Sequence, residues 1–566
     1  MRRAAAETRS VLFVVRTATT LHRLLDAAPA LAGDRRIEPF VTLVPGSRFC
    51  AEALAALEGL RARQLPWEEA TGRPFSLILA ASARGELHRL QGPLTLLPHG
   101  AGFSKRMPAT VGRGAALDAP NGLHAGELLR PDGGPLAQLH ALAHPGQLDR
   151  LAAQSPRAAA QAAVVGDPTL DRLLESLPRR ERYRHALRVA GRRLVAVLST
   201  WGPESLLERR PELPLRLATE LPYDSYRTAL VLHPNVHARK QQFGLSQDLT
   251  PERKAGVLLP RPYEEWAALL VAADCVVTDH GSTALYAAAL GLPVLGACDG
   301  GEELLPGTPM ARLLDSAPRL DIRQPLRQQL ERALAGHSGE TVREIAAEAF
   351  TREGRAVEEL QRRLYALLEL SPPRVPAEPE PLPVPDAVAR RSPALCAFAV
   401  DCEVAGEVAG DGEQSDGAAV RVIRRPVSGE PGDHLAAEED WAGLRHVQSA
   451  GLLYRHWERS TAPASVRQWS ADVLAAYPAC RTAAAVVGGN RCVLRVRDGG
   501  LLGVHWEGDG GAHTAAAADP VAVLCGVHAW LVKRPAAVPA GQRVRCEVGG
   551  QRVVAVVRPL PVAETA

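Results

Sequence analysis

Lysine is almost missing from this chain: Lys105, Lys240, Lys254 and Lys533 are the only ones in 566 residues, and arginine supplies the rest of the basic charge. The net charge is only +3, so no whole-molecule field is available to draw a nucleic acid, and none is expected as a partner. Aromatic residues make up just 4% of the chain, which leaves Ala, Leu and Val to build the core. The nine cysteines, at 50, 275, 298, 396, 402, 480, 492, 525 and 546, form no CxxC pair, which excludes a zinc ribbon or a thioredoxin-like motif. An odd cysteine count without a secretory signal reads as reduced thiols in a cytoplasm. The apolar run Val11 to Val15 is cut short by Arg16, too soon for a signal peptide. No window reaches the roughly 18 uncharged apolar residues that a membrane span needs. There is no Gly-Lys-Ser/Thr, so no P-loop, and "HGAGFS" lacks the third glycine of a dinucleotide fingerprint. HExxH, GxSxG and a paired-carboxylate motif are also missing.

What is present is a long alternation. At 566 residues the chain needs two to four domains. "VLFVV", "EPFVTLVPGS", "FSLILAAS" and "PLTLLPHG" read as strands, and "LHRLLDAAPALA" and "AEALAALEGLRARQL" as helices between them. Strands and helices at this spacing predict a parallel sheet covered on both faces. The pattern restarts at "AAVVGD" and runs through "RRLVAVLST", "RTALVLHP", "KAGVLLP", "DCVVTDHG" and "LPVLGACD". One or two long helices over 340–370 close it. The expected architecture is α/β: two doubly wound Rossmann-like domains, 1–160 and 161–370, facing a cleft. Residues 371–393 hold eight prolines in 23 positions and read as a semi-rigid linker. Residues 394–566 are expected to form a separate α+β domain, with a mobile acidic loop at 403–418 and hairpins in "RCVLRVRDGGLLGVHW" and "QRVRCEVGGQRVVAVV".

In open parallel sheets ligands bind beyond the carboxyl ends of the strands. Five such junctions combine small, polar and ring residues: "LLPHGAGFSKR", "VVGDPTLDRL", "LSTWGPES", "VLHPNV" and "TDHGST". In the last, Gly281 permits close backbone approach, and Ser282 and Thr283 open a helix whose free N–H groups suit a phosphate. Equally, Asp279 or Ser282 could simply cap that helix. His99, in a glycine-flanked turn, could take a proton from an acceptor hydroxyl or merely bond a neighbouring loop. His233, held by Pro234, suits donation to an anion. Lys105 and Arg106 could neutralise phosphate, and Trp201 could stack on a base or fill a cleft. Cys275 and Cys298 read as buried strand residues.

Taken in order, these junctions resemble the motifs of the CDP-glycerol glycerophosphotransferases of teichoic-acid synthesis. That family's His-Gly-Thr-Pro-Leu-Lys is similar to His99-Gly100-Ala101 with Lys105 downstream, and its Gly-x-Pro-x-x-Asp to Gly166-Asp167-Pro168-Thr169-Leu170-Asp171. Its Pro-Thr-Trp resembles Ser199-Thr200-Trp201, its Leu-His-Pro resembles Leu232-His233-Pro234, and its Thr-Asp-Tyr-Ser-Ser resembles Thr278-Asp279-His280-Gly281-Ser282. The resemblance covers about residues 90 to 300. It implies a GT-B architecture and transfer of a glycerophosphate or glycosyl group from a nucleotide-diphosphate donor to a hydroxyl acceptor in cell-envelope polymer synthesis. It implies His99 as the base, with Thr200, Trp201, His233, Asp279, Gly281, Ser282 and Thr283 at the donor, and neither metal nor cofactor. Ala101 for threonine and His-Gly for Tyr-Ser are departures that leave the donor open. A nucleotide-sugar 2-epimerase and a non-catalytic GT-B protein are the rival readings. The expected location is the cytoplasm, with peripheral contact at the inner membrane face left open. The acceptor and the oligomeric state are not legible.

Overall fold

The computed structural model describes residues 8–560 apart from 47–52, 55–56, 59–60, 107–119, 190, 262–264, 352, 386–387, 389–393, 406–417, 428–430, 459–462, 509–517, 534–537 and 539–540. The expected acidic loop lies mostly outside the described residues; of the helix expected over 51–65, residues 51–52, 55–56 and 59–60 lie outside them, and its last two residues, Gln64–Leu65, form a strand instead. The chain divides into two compact units. One comprises Met1–Pro214, Thr228–Thr250 and Leu258–Arg391; the other comprises Leu215–Arg227, Pro251–Val257 and Ser392–Ala566.

The first unit contains two sheets. The first is built from β1 (Arg9–Val15), β2 (Ile37–Leu43), β3 (Gln64–Leu65), β4 (Leu77–Ala80), β5 (Leu94–Leu96), β6 (Leu139–Leu142) and β7 (Ala162–Val164). Its order is β3-β2-β1-β4-β5-β6-β7, and every pairing is parallel. Strands such as β4 are buried at every position, so their apolar runs need helices on both faces. The second sheet contains β8 (Arg193–Ser199), β9 (Tyr226–Leu232), β10 (Cys275–Thr278) and β11 (Val294–Gly296), in the order β11-β10-β8-β9. Both orders are those of doubly wound α/β sheets, and in the second the reversal point falls between β8 and β10. The unit therefore has the two-lobed, GT-B-like arrangement expected from the sequence.

Three boundaries differ from those expected. "AAVV" does not open the second lobe: β7 pairs with β6 and ends the first sheet, so the 160/161 division falls one strand early. The helix Ala356–Leu367 returns to the first lobe, where Val357, Leu360 and Leu364 join the core around Val11 and Leu77. Residues 371–385 of the proline-rich segment are no free spacer. Ser176 Oγ accepts from Leu382 N at 2.9 Å, Tyr183 Oη donates to Leu382 O at 2.9 Å and Arg172 Nε donates to Glu380 O at 3.0 Å. A proline-rich segment has few N–H groups to satisfy but keeps all its carbonyls, so side chains can strap it down.

The second unit is a closed barrel made of β12 (Ala397–Ala405), β13 (Ala418–Pro426), β14 (His434–Glu438), β15 (Leu452–His456), β16 (Thr482–Gly488), β17 (Arg491–Val496), β18 (Leu501–Gly508), β19 (Gln542–Val548) and β20 (Gln551–Pro559). The two expected hairpins are β17–β18 and β19–β20, both antiparallel. The expected α+β domain is more specific than its sequence suggested, because the helix Pro520–Val532 runs inside the barrel. Val521 through Leu531 are all buried, and the helix packs against β12, β13, β15, β16, β17, β19 and β20. A helix apolar all round has nowhere else to go. At Gly526 a Cβ would lie 2.8 Å from Cys546 Sγ and 3.1 Å from Val422, so the missing side chain lets the helix approach the wall.

One charge holds this core together. Arg424, on β13, is fully buried. Its Nε donates to Asp224 Oδ2 at 2.9 Å and its Nη2 to Asp519 Oδ2 at 2.7 Å, while Phe398 lies 4.5 Å from the guanidinium carbon. Asp519 also caps the central helix by accepting from Val521 N. Truncating one member of a buried ion pair strands the others. Arg424→Ala should therefore cost about 3–5 kcal/mol in urea unfolding. A loss below about 1 kcal/mol would show that the carboxylates find other partners.

Candidate functional site

All five strand-end junctions reach one cavity of about 620 Å³ between the lobes of the first unit. His99, Thr169, Thr200, His233, Gly281, Ser282 and Thr283 are among its lining residues. That volume is in the range of small-molecule sites.

The floor lies at the reversal point of the second sheet. Asp279, directly after β10, is fully buried, and its carboxylate is used up by the backbone. Oδ2 accepts from Thr200 N at 2.9 Å and from Leu206 N at 2.7 Å, and Oδ1 accepts from Gly281 N at 2.9 Å. Burial pushes this carboxyl upward despite those bonds. Asp279 thus braces the loops after β8 and β10, and it also belongs to the lining of the cavity. A Cβ on Gly281 would stand 3.2 Å from Thr200 Cβ, so a side chain there would push these loops apart. Ser282 precedes the helix Thr283–Ala289 but makes no capping bond. Among the described residues the Ser282 and Thr283 hydroxyls have no hydrogen-bond partner in the chain, and both line the cavity. His280 turns away from it, with Nε2 3.0 Å from Glu303 Oε2.

Two histidines face the same space. His233 follows β9, and its Nδ1 accepts from Asn235 N at 3.0 Å, which places the proton on Nε2 as a donor. Burial, then the charges of Lys105, His99 and His237, push this imidazole down to about 3. His99, beyond β5, has no hydrogen bond among the described residues and is only half-buried. Burial, then Arg23 and Arg84, push it down to about 4. Both rings are neutral at pH 7, so one is a fixed donor and the other can accept.

The other expected residues are placed elsewhere. Lys105 Nζ pairs with Glu303 Oε2 at 3.4 Å and donates to Trp201 O at 3.2 Å, and burial lowers its pKa. Arg106 lies 3.9 Å from Glu302. Neither lines the cavity, because residues 104–106 bond the strand-like segment 303–305: Arg106 N donates to Glu303 O and Leu305 N to Ser104 O. They clasp the lobes together, a correction to the phosphate role expected of them. Trp201 is 40% exposed with its ring 6.1 Å from that of His233, and it too lies outside the cavity lining. Cys275 is buried on β10, whereas Cys298 lies beyond β11 and is half-buried, not a buried strand residue.

The sequence reading missed the opposite wall. Arg23, on the helix Ala18–Ala27 after β1, donates to Thr169 Oγ1, lies 3.6 Å from Asp167 Oδ1 and stacks 5.3 Å from the Tyr286 ring centroid. Tyr286 Oη donates to Asp167 Oδ2 at 2.8 Å, and Arg172 pairs with Asp26. "GDPTLD" is mainly structural. Asp167 caps the helix Pro168–Ser176, and Asp171 accepts from Gly354 N and Ala356 N at 2.7 Å each. Gly166 has φ +94°, and a Cβ there would meet Ala356 at 2.8 Å. Arg23 stood one turn along an ordinary amphipathic helix, where no local signal marks it.

No protein-family model matches the chain, and no curated protein matches it. Among solved structures, it is similar to the wall teichoic acid polymerase TagF, with 13% identity over 64% of this chain and 89% of that one and a TM-score of 0.46. It is also similar to an S. aureus MnaA–UDP co-structure (12% identity, 64% and 98% coverage, TM-score 0.39). A third is UDP-GlcNAc 2-epimerase from Neisseria meningitidis bound to UDP-GlcNAc (15%, 64% and 99%, TM-score 0.40). The fold assignment here rests on strand order, and the site rests on its own residues.

The His99 environment has a pH signature. Its folded value, about 4, lies below the ordinary 6.5, so between those values the unfolded chain binds more protons. Its contribution to stability is complete above pH 6.5 and is lost as pH falls toward 4. His99→Gln should flatten unfolding free energy against pH in that window by up to about 1.4 kcal/mol per pH unit. An unchanged slope would mean that the ring titrates normally.

Proposed function

We propose that this chain is a GT-B-type transferase that moves a glycerophosphate or glycosyl group from a nucleotide-diphosphate donor to a hydroxyl acceptor. The observation that carries the reading is the convergence of all five family-like junctions on one cavity. The His233 Nε2–H and the Ser282 and Thr283 hydroxyls are donors that have no competing partner among the described residues, suited to a diphosphate. His99 supplies the complementary function. The acceptor O–H bond breaks as its oxygen attacks, the proton passes to an imidazole nitrogen of His99, and the nucleotide departs with the electrons of its bond to the transferred group. With burial, Arg23 and Arg84 pushing its pKa down to about 4, His99 by itself is a weak base. A bound polyphosphate places negative charge beside it and raises its pKa toward neutrality, so the base is strengthened when a donor is present.

A thermal-shift panel with CMP, CDP-glycerol, CDP, UDP, UDP-sugars and GDP-sugars tests the donor. A ligand at about a hundred times its dissociation constant adds about 2.7 kcal/mol. One nucleotide class should stabilise the protein, and Ser282→Ala with Thr283→Ala should abolish the shift. With the donor known, His99→Ala should lower turnover about 10²–10⁴-fold while donor affinity stays nearly intact. Turnover equal to wild type would remove His99 from the mechanism. Donor binding without turnover in the wild type would favour the non-catalytic reading.

A further inference from the structure

A second cavity, of about 330 Å³, shares no lining residue with the first. It sits at the carboxyl end of β11, between Cys298 and Asp299 on one side and Arg209, Arg210 and Arg319 on the others. Three arginines and a single carboxylate residue therefore line it, and Asp299 Oδ1 already accepts from Gly301 N at 3.2 Å. Arg209 has an ion-pair partner in Glu204 at 3.4 Å. Arg210 spends one N–H on Leu320 O at 2.9 Å and pairs with no carboxylate among the described residues. Arg319 is exposed, and among the described residues no carboxylate pairs with it either. Like charges gathered around a concavity repel one another unless an anion joins them. The planar forks of arginine suit phosphate oxygens, and the end of a parallel strand is where open α/β sheets bind ligands.

We propose that this cavity is a second anion site, separate from the cleft, that takes a compact phosphoryl or pyrophosphoryl group between Arg210 and Arg319. The site binds and performs no covalent step. Burial, with Asp279 adding to it, pushes the Cys298 thiol up to about 11 in spite of the nearby arginines, so it is no nucleophile at neutral pH. It is also mechanically joined to the cleft. The short helix Leu206–Arg209 starts at the N–H that Asp279 Oδ2 holds at 2.7 Å, and the same oxygen holds Thr200 N. An anion on Arg210 therefore grips the turn that positions the cleft floor.

The test is calorimetric titration of the full chain with inorganic pyrophosphate at fixed ionic strength, in three proteins. In Ser282→Ala/Thr283→Ala/His233→Ala, which removes the three cleft donors, a saturable site of unit stoichiometry should persist. Adding Arg319→Glu, a change at an exposed side chain, should weaken that site at least about tenfold. Arg210→Gln/Arg319→Gln in the same background should also abolish it, and circular dichroism checks folding in each case. Loss of all binding on removing the Ser282, Thr283 and His233 donors, or affinity unmoved by Arg319→Glu, would overturn the proposal. Non-saturable uptake would do the same, because it marks diffuse surface charge. Failure of the cleft reading appears separately, as a nucleotide panel with no thermal shift.

Discussion

A single carboxylate sets the geometry of both cavities. Asp279 is buried beyond reach of solvent, and a charge so placed is tolerated only when donors surround it. Three backbone N–H groups do so, from Thr200, Leu206 and Gly281. Two of these belong to the segment after β8 and one to the segment after β10, so the carboxylate bridges the point where strand order reverses. Parallel strands there send their connections to opposite faces of the sheet, which opens a crevice that backbone bonds alone would leave ragged. With Asp279 in place, Ser282 and Thr283 face one cavity, and the turn bearing Arg209 and Arg210 faces the other.

The opposing lobe is positioned by a comparable device. Arg23, Asp167 and Tyr286 come from the helix after β1, the junction after β7 and the helix after β10, and they meet by hydrogen bond, ion pair and ring stacking. Each would be expensive to bury alone, since a guanidinium, a carboxylate and a phenol all lose water. Together they satisfy one another. The clasp of residues 104–106 on 303–305 adds backbone bonds and the Lys105–Glu303 pair at a further point.

Much of this was legible in the sequence, and the failures share one cause. Periodicity located β1, β8, β9 and β10, because a strand buried on both faces has no alternative to a continuous apolar run. The junction residues His99, His233, Ser282 and Thr283 were found because position after a strand is a local property. What was lost is pairing at long range. Nothing near "AAVV" says that it prefers β6 as a neighbour to β8, and nothing near Lys105 says that Glu303 will occupy it. That Asp279 would also brace two loops through Thr200, Leu206 and Gly281 was not legible, because a polar residue in a turn reads the same whether it bonds the backbone or faces a cavity. The barrel was missed as a barrel for a related reason. Its strands alternate as those of any half-buried sheet do, and closure depends on the β13–β19 and β12–β14 pairings, each joining strands that are not consecutive in the chain.

The electrostatics of the cleft then follow from what the chain leaves uncompensated. His99 and His233 are neutral because burial and nearby cations disfavour their protonated forms. Arg23 and Arg172 bring positive charge to the walls, but Asp167 and Asp26 already answer it. A cavity lined in this way offers donor capacity more than net charge. A diphosphate would be held chiefly by N–H and O–H dipoles fixed in advance by Asp279 and by the His233–Asn235 bond, which need little reorganisation when the ligand arrives. The second cavity differs, since among the described residues its Arg210 and Arg319 pair with no carboxylate. Affinity in the cleft should therefore depend weakly on salt, and affinity in the second cavity strongly, since only the latter relies on attraction that mobile ions screen.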